Sequence, residues 1–114
     1  MRQVAIVAPT ASGKSDVAMA VARETGAHIV VVDAMQVYRG MDIGTAKPTA
    51  ADRAAVSHHC LDLVGPDARF TVADFKTHAA AARTAIAAAG TDALFVAGTG
   101  LYLRSEEHTL NSSH

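Results

Sequence analysis

The sequence holds a single cysteine, Cys60, and so no intrachain disulfide. That suits a reducing compartment. It has no surplus of either charge, with 10 Lys and Arg against 11 Asp and Glu. Bulk attraction to nucleic acid is therefore excluded, and any such binding must rest on local charge or on residues outside this chain. A long hydrophobic run is also missing. The apolar stretch after Met1-Arg2-Gln3 closes at Pro9, too short for a signal peptide or a membrane span. These features predict a cytoplasmic protein with no membrane partner. At 114 residues there is room for one small domain and not two.

What is present centres on Ala8-Pro9-Thr10-Ala11-Ser12-Gly13-Lys14-Ser15. The apolar run Val4-Ala5-Ile6-Val7 precedes it, and a helical pattern from Asp16 to Thr25 follows. Strand, Gly-Lys-Ser, then helix is the context of a phosphate-binding loop. The first N–H groups of a helix lack internal partners, and the helix dipole places positive charge there. A di- or triphosphate fits that spot. Gly13 lets the backbone approach the oxygens, Lys14 adds a point charge, and Ser15 is placed to ligate Mg2+. The general motif GxxxxGK[ST] begins with glycine, and Ala8 stands there instead.

Gln3 to Val7 reads as a buried parallel strand. In the following helix Val17, Ala20, Val21 and Glu24 keep helical spacing, and Gly26 stops it. His28 to Val32 is a second strand with Asp33 at its carboxyl end. Open parallel sheets bind ligands outside those ends, so Asp33 should share the crevice of the phosphate loop. Residues 34–49 read as an ordered loop, Ala50 to Ala55 as a short helix, and Gly65-Pro66-Asp67 as a turn. Thr71 and Asp74 stand as a capping box for a helix. Its buried stripe should be Phe75, Ala79, Ala82, Ile86 and Ala89, with Gly90 as its end. Asp92 to Ala97 is a third parallel-type strand, and Gly98-Thr99-Gly100 turns toward another helix. The fold class is α/β, a P-loop NTPase-like parallel sheet with flanking helices, incomplete within this chain.

Apolar periodicity stops at Arg104. The string from there resembles the translation of a sequencing-adaptor stretch, so residues 104–114 are expected to be a non-native tail, and residues 1–103 the amino-terminal part of the domain.

Beyond Pro9 to Ser15, three further stretches carry a family resemblance. They are the sixteen residues Asp33-Ala34-Met35-Gln36-Val37-Tyr38-Arg39-Gly40-Met41-Asp42-Ile43-Gly44-Thr45-Ala46-Lys47-Pro48, then His58-His59 with Leu61-Asp62, and Gly98-Thr99-Gly100-Leu101-Tyr102-Leu103. Phe70 with Ala73-Asp74-Phe75 fits the same order. Together they resemble the bacterial tRNA dimethylallyltransferases (tRNA isopentenyltransferases) over nearly all of 3–103. Ala8 and Ala97 stand where that family usually has glycine, and Ala34 where it often has serine. The matched stretch corresponds to the amino-terminal third of a typical member, so the chain reads as a truncated copy. The helical insertion that grips the anticodon stem-loop and a downstream diphosphate-binding arginine would lie beyond it.

The resemblance implies transfer of a dimethylallyl group from dimethylallyl diphosphate to the exocyclic amine of an adenosine beside the tRNA anticodon. Residues 8–15 would hold the diphosphate, with Lys14 and Thr10 stabilising it as it leaves and Ser15 helping to bind Mg2+. Asp33 would be the base, and Asp33, Ala34, Met35, Gln36 and Thr99 would contact the tRNA. The implied partners are the anticodon stem-loop and the prenyl donor, and the implied parent enzyme is a monomer.

Read without the resemblance, the residues leave other functions open. An acidic residue after an apolar strand also fits metal binding in a small-molecule kinase or another ATP-binding, nucleotide-hydrolysing enzyme. An inactive fragment is the third reading. The remaining conspicuous residues have structural readings. Adjacent histidines on a strand point to opposite faces, so His58 and His59 cannot easily share an ion. Cys60 suits a core position, Asp62 a strand end, Asp74 a helix cap, and Lys47 and Arg39 an exposed loop.

Overall fold

The computed structural model describes residues 1–7, 14–40 and 47–97. In chain order these form β1 (Gln3–Val7), α1 (Lys14–Thr25), β2 (His28–Val32), α2 (Ala50–Ala55), β3 (His58–His59), α3 (Val72–Ala88) and β4 (Ala93–Ala97). The strands make one sheet in the order β1-β4-β2-β3, with every pair parallel. Parallel neighbours require crossovers, and helices supply them. The expected tail and the turn at Gly98-Thr99-Gly100 lie outside the described residues.

Alternation along the strands sends successive side chains to opposite faces. On one face Ile29, Val31, Leu94 and Val96 meet Ala18 and Ala22 of α1. On the other, Val30, Val32, Phe95 and Ala97 meet Phe75, Ala79, Ala82 and Ile86 of α3. The sheet is thus covered on both sides, as the α/β reading expects. The capping box of α3 is complete. Asp74 N donates to Thr71 Oγ1 at 3.1 Å, and Thr71 N donates to Asp74 Oδ2 at 2.8 Å. Donation to the exposed Asp74 carboxyl from the Thr71 backbone N–H, and then from the Thr71 hydroxyl, holds it below the usual aspartate range. Gly26 and Gly90, which end α1 and α3, have φ of +79° and +74°, where a Cβ would strain the backbone.

Three features differ from the sequence reading. Among the described residues β1 is the outer strand of the sheet, with Val4 48% exposed rather than buried. It pairs with β4 on one side, and a continuous apolar run does not tell an edge from a centre. Second, α1 buries Ala18 and Ala22 and leaves Val17 and Val21 out at 54% and 37% exposed. The small residues sit four apart and let the helix axis approach the sheet closely. The helix also begins at Lys14, two residues before Asp16. Third, the α3 stripe ends at Ile86, because Ala89 is the exposed C-cap.

Candidate functional site

The register fixes the geometry of the site. Val7, Ala97 and Val32 are level with one another, so β1, β4 and β2 end on one line. Asp33 follows β2 directly, and the connection into α1 follows β1 directly. One strand lies between them, so their starting points are separated by about two strand spacings, roughly 10 Å. The first turn of α1, containing Lys14 and Ser15, leaves N–H groups without intrahelical partners at this end of the sheet. Ala8, Pro9, Thr10, Ala11, Ser12, Gly13 and Thr99 lie outside the described residues.

Asp33 is half-buried and organises the turn after it. Its Oδ1 accepts from Met35 N at 2.7 Å and from Gln36 N at 3.2 Å. Its Oδ2 accepts from Gln36 Nε2 at 3.2 Å. This is an Asx turn closed by a side-chain amide. A carboxylate offers about four lone-pair sites, so three acceptances leave room for one more donor. Gln36 is buried, whereas Ala34 and Met35 are exposed at the crevice. Of the expected site residues, the structure therefore gathers Asp33, Ala34, Met35 and Gln36 into one turn.

A second layer anchors that turn. Asp62 N donates to Gln36 O at 3.0 Å, Leu63 N to Val37 O at 2.7 Å, and Arg39 N to Val64 O at 2.8 Å. Tyr38 and Val64 form a parallel bridge. Lys47 closes the layer, donating through Nζ to Tyr38 O and to Asp62 Oδ1, each at 2.6 Å. Arg53 Nη2 reaches Asp62 Oδ2 at 2.8 Å. Burial pushes the Asp62 carboxyl up, but the bonds from Lys47 and Arg53 outweigh it and hold the carboxyl below its usual range.

The placement of Lys47 corrects the sequence reading of an exposed loop cation, since its side chain is only 6% exposed. Its anionic partner stands fifteen residues away, and no local pattern signals that pairing. Arg39 is exposed as expected, with Nη1 at 3.5 Å from Asp62 O.

The histidines make contacts within the fold. His58 Nδ1 lies 2.8 Å from Val56 O, and His59 Nε2 lies 3.1 Å from Nδ1 of His28, with the two rings stacked. Burial lowers the pKa of both His58 and His59. The neighbouring Arg53 adds to this for His58, and the neighbouring imidazoles of His28 and His58 add to it for His59. Among the described residues, no three His, Cys, Asp or Glu converge to hold a metal ion. A cavity of about 100 Å³ lies against Asp33 and Gln36, between α1 and β2.

Comparison with known proteins gives matches over most of the chain. A family model described as IPP transferase matches residues 36–113, and one described as isopentenyl transferase matches residues 1–62. The tRNA dimethylallyltransferase 1 of Citrifermentans bemidjiense is 50% identical over 105 residues, covering 92% of this chain and 34% of that protein. The crystal structure of full-length tRNA isopentenylpyrophosphate transferase from Bacillus halodurans superimposes with a TM-score of 0.84 at 44% identity, over 91% of this chain and 34% of that one. The tRNA delta(2)-isopentenylpyrophosphate transferase from Staphylococcus epidermidis gives 0.82 at 38% identity, over 92% and 34%. The chain spans about a third of the length of the curated relatives it matches.

Proposed function

The chain belongs to the IPP transferase family, and on that premise we propose that it serves transfer of a dimethylallyl group from dimethylallyl diphosphate to a tRNA adenosine beside the anticodon. The observation that supports this reading is the level line of strand ends, which leaves Asp33 and the connection into α1 at the same end of the sheet.

In the proposed reaction the diphosphate rests at the start of α1. Residues 8–13 and Lys14 supply N–H groups and a positive charge, and Thr10 donates to the leaving oxygens. Preorganised donors of this kind stabilise charge that grows as the carbon–oxygen bond breaks. The exocyclic amine attacks the first carbon of the prenyl group, diphosphate departs, and the amine proton passes to Asp33. The open acceptor site on the Asp33 carboxylate suits that role. The target adenine must leave its stack to reach the crevice. Ala34 and Met35, exposed there, and Gln36 with Thr99, would contact the tRNA.

Mg2+, when bound, would neutralise charge on the diphosphate. On this reading Ser15, in the first turn of α1, would supply a hydroxyl oxygen, and phosphate and water would supply much of the rest of the ion's shell. The same reading makes the protein cytoplasmic and monomeric.

The test is incubation of the protein with tRNA and radiolabelled dimethylallyl diphosphate, followed by nucleoside analysis. Label on an adenosine beside the anticodon is the expected result. Phosphoryl transfer from ATP to a small molecule, without prenyl transfer, would replace this reading with the kinase one.

A further inference from the structure

We propose that Gln36 is the positioning residue of the base. Its side-chain amide holds the Asp33 carboxylate in the orientation that receives the amine proton. The proposal rests on the reading of Asp33 as the base given above, and it refines the tRNA role given to Gln36 there. Three observations carry it.

The first is how the acceptor sites of Asp33 are filled. Oδ1 accepts two backbone N–H groups, from Met35 at 2.7 Å and from Gln36 at 3.2 Å. Each carboxylate oxygen has about two lone-pair sites, so Oδ1 is full. Among the described residues Oδ2 accepts from Gln36 Nε2 alone, at 3.2 Å. The site left for an incoming proton is therefore on Oδ2, the oxygen that Gln36 holds. Rotation about the last bond of an aspartate side chain is soft, with broad minima. Bonds to Oδ1 fix one oxygen, and the amide on Oδ2 fixes the plane of the carboxyl.

The second is burial. Gln36 is only 9% exposed. A buried amide must find hydrogen-bond partners. An ionised carboxylate can only accept, so the amide presents its nitrogen to Asp33. A side chain so placed meets the base before it meets a ligand. The third is anchorage. Gln36 O accepts from Asp62 N at 3.0 Å, and the next residue, Val37, is fully buried. The backbone of Gln36 is thus tied to the layer of Asp62 and Lys47, and its amide passes that rigidity to the carboxylate.

The experiment pairs kinetics with hydrogen exchange on the same chain. Gln36→Met keeps a long, unbranched side chain and removes the donor. Gln36→Asn keeps the amide but withdraws it by one methylene. Circular dichroism checks that each folds, and either variant decides if the other does not. Single-turnover transfer of labelled dimethylallyl to tRNA should slow at least about tenfold in both, within the roughly hundredfold that a small misplacement of a reacting group can cost. Affinity for tRNA should stay unchanged. In an Asp33→Asn background Gln36→Met should cost no further rate, because its effect runs through the carboxylate. The second readout needs no activity. By nuclear magnetic resonance, the Gln36 side-chain N–H groups should exchange with solvent about tenfold faster in Asp33→Ala than in the wild type, the worth of a hydrogen bond to a charged group.

A loss of tRNA affinity in Gln36→Met with the rate kept would make Gln36 a tRNA contact and overturn the proposal. A loss of rate that persists undiminished in the Asp33→Asn background overturns it too, since the role would then be structural. Exchange unmoved by Asp33→Ala removes the bond on which the proposal stands. Absence of any transfer by the wild type overturns the base reading, and the positioning role with it, while exchange quickened by Asp33→Ala would show the bond itself intact.

Discussion

Replacing Asp62 with asparagine removes one negative charge and keeps the side chain's shape. Asp62 has φ of +52°, a left-handed conformation that asparagine tolerates better than most residues, so backbone strain is not added. What changes is the counter-charge of Lys47, whose Nζ lies 2.6 Å from Asp62 Oδ1 in a setting that leaves the lysine side chain 6% exposed. Removing one partner of a fully buried pair costs about 3–5 kcal/mol. Here the Asp62 side chain is 29% exposed, so water screens one end, and Lys47 keeps its bond to Tyr38 O. The amide oxygen of asparagine also still accepts. These reduce the expected loss to about 2 kcal/mol, of which the more exposed Arg53 contact supplies about 0.5 kcal/mol. The assay is urea unfolding followed by far-ultraviolet circular dichroism. Lys47→Met alone and the double variant complete a cycle, and the double variant should lose less than the sum of the two. A loss below about 0.5 kcal/mol for Asp62→Asn would put the pair in the class of surface ion pairs. It would refute the argument that this cluster anchors the turn carrying Asp33.

Stability should also fall in mild acid. The pKa values of His58 and His59 are lowered in the fold, so the unfolded chain binds more protons there. The contribution is therefore complete above the ordinary value of 6.5 and is lost as pH falls from there toward the lowered folded values. A melting temperature that rises between pH 6.5 and 5 would contradict this sign. Phe75→Ala, at a side chain 1% exposed between α3 and the sheet, should cost about 3–5 kcal/mol in the same unfolding assay. Lys14→Ala should weaken inorganic diphosphate binding by roughly ten- to a hundredfold, the worth of a charged hydrogen bond, and unchanged affinity by calorimetry would remove Lys14 from the site.

Much of this was legible in local sequence. Strand, Gly-Lys-Ser and helix stand in the order that a phosphate loop needs. Thr71 and Asp74 marked a helix start that proved to be a complete capping box. The apolar run before Asp33 placed that residue at a strand end, and the parallel register then made the placement meaningful.

What the sequence hid depends on contacts distant along the chain. The outer position of β1 among the described strands is set by which strand pairs with it, not by its own residues. The choice of Ala18 and Ala22 over Val17 and Val21 for the buried face of α1 reflects how near a helix can sit to a sheet, which a hydropathy pattern ignores. Lys47 looked like a loop cation because Asp62, its partner, is remote in sequence. The ring pair of His28 and His59 is hidden for the same reason, its members standing 31 positions apart.

The account's central claim is that Asp33 takes the proton while the start of α1 holds the diphosphate. Single-turnover transfer of labelled dimethylallyl to tRNA, measured for wild type and Asp33→Asn with diphosphate affinity recorded in parallel, tests it most directly. The account predicts a fall in rate of at least about a hundredfold, the typical worth of a positioned general base, with affinity for the donor largely unchanged. An equal loss of donor affinity would mean that Asp33 serves the bound metal, and an unchanged rate would contradict the claim outright.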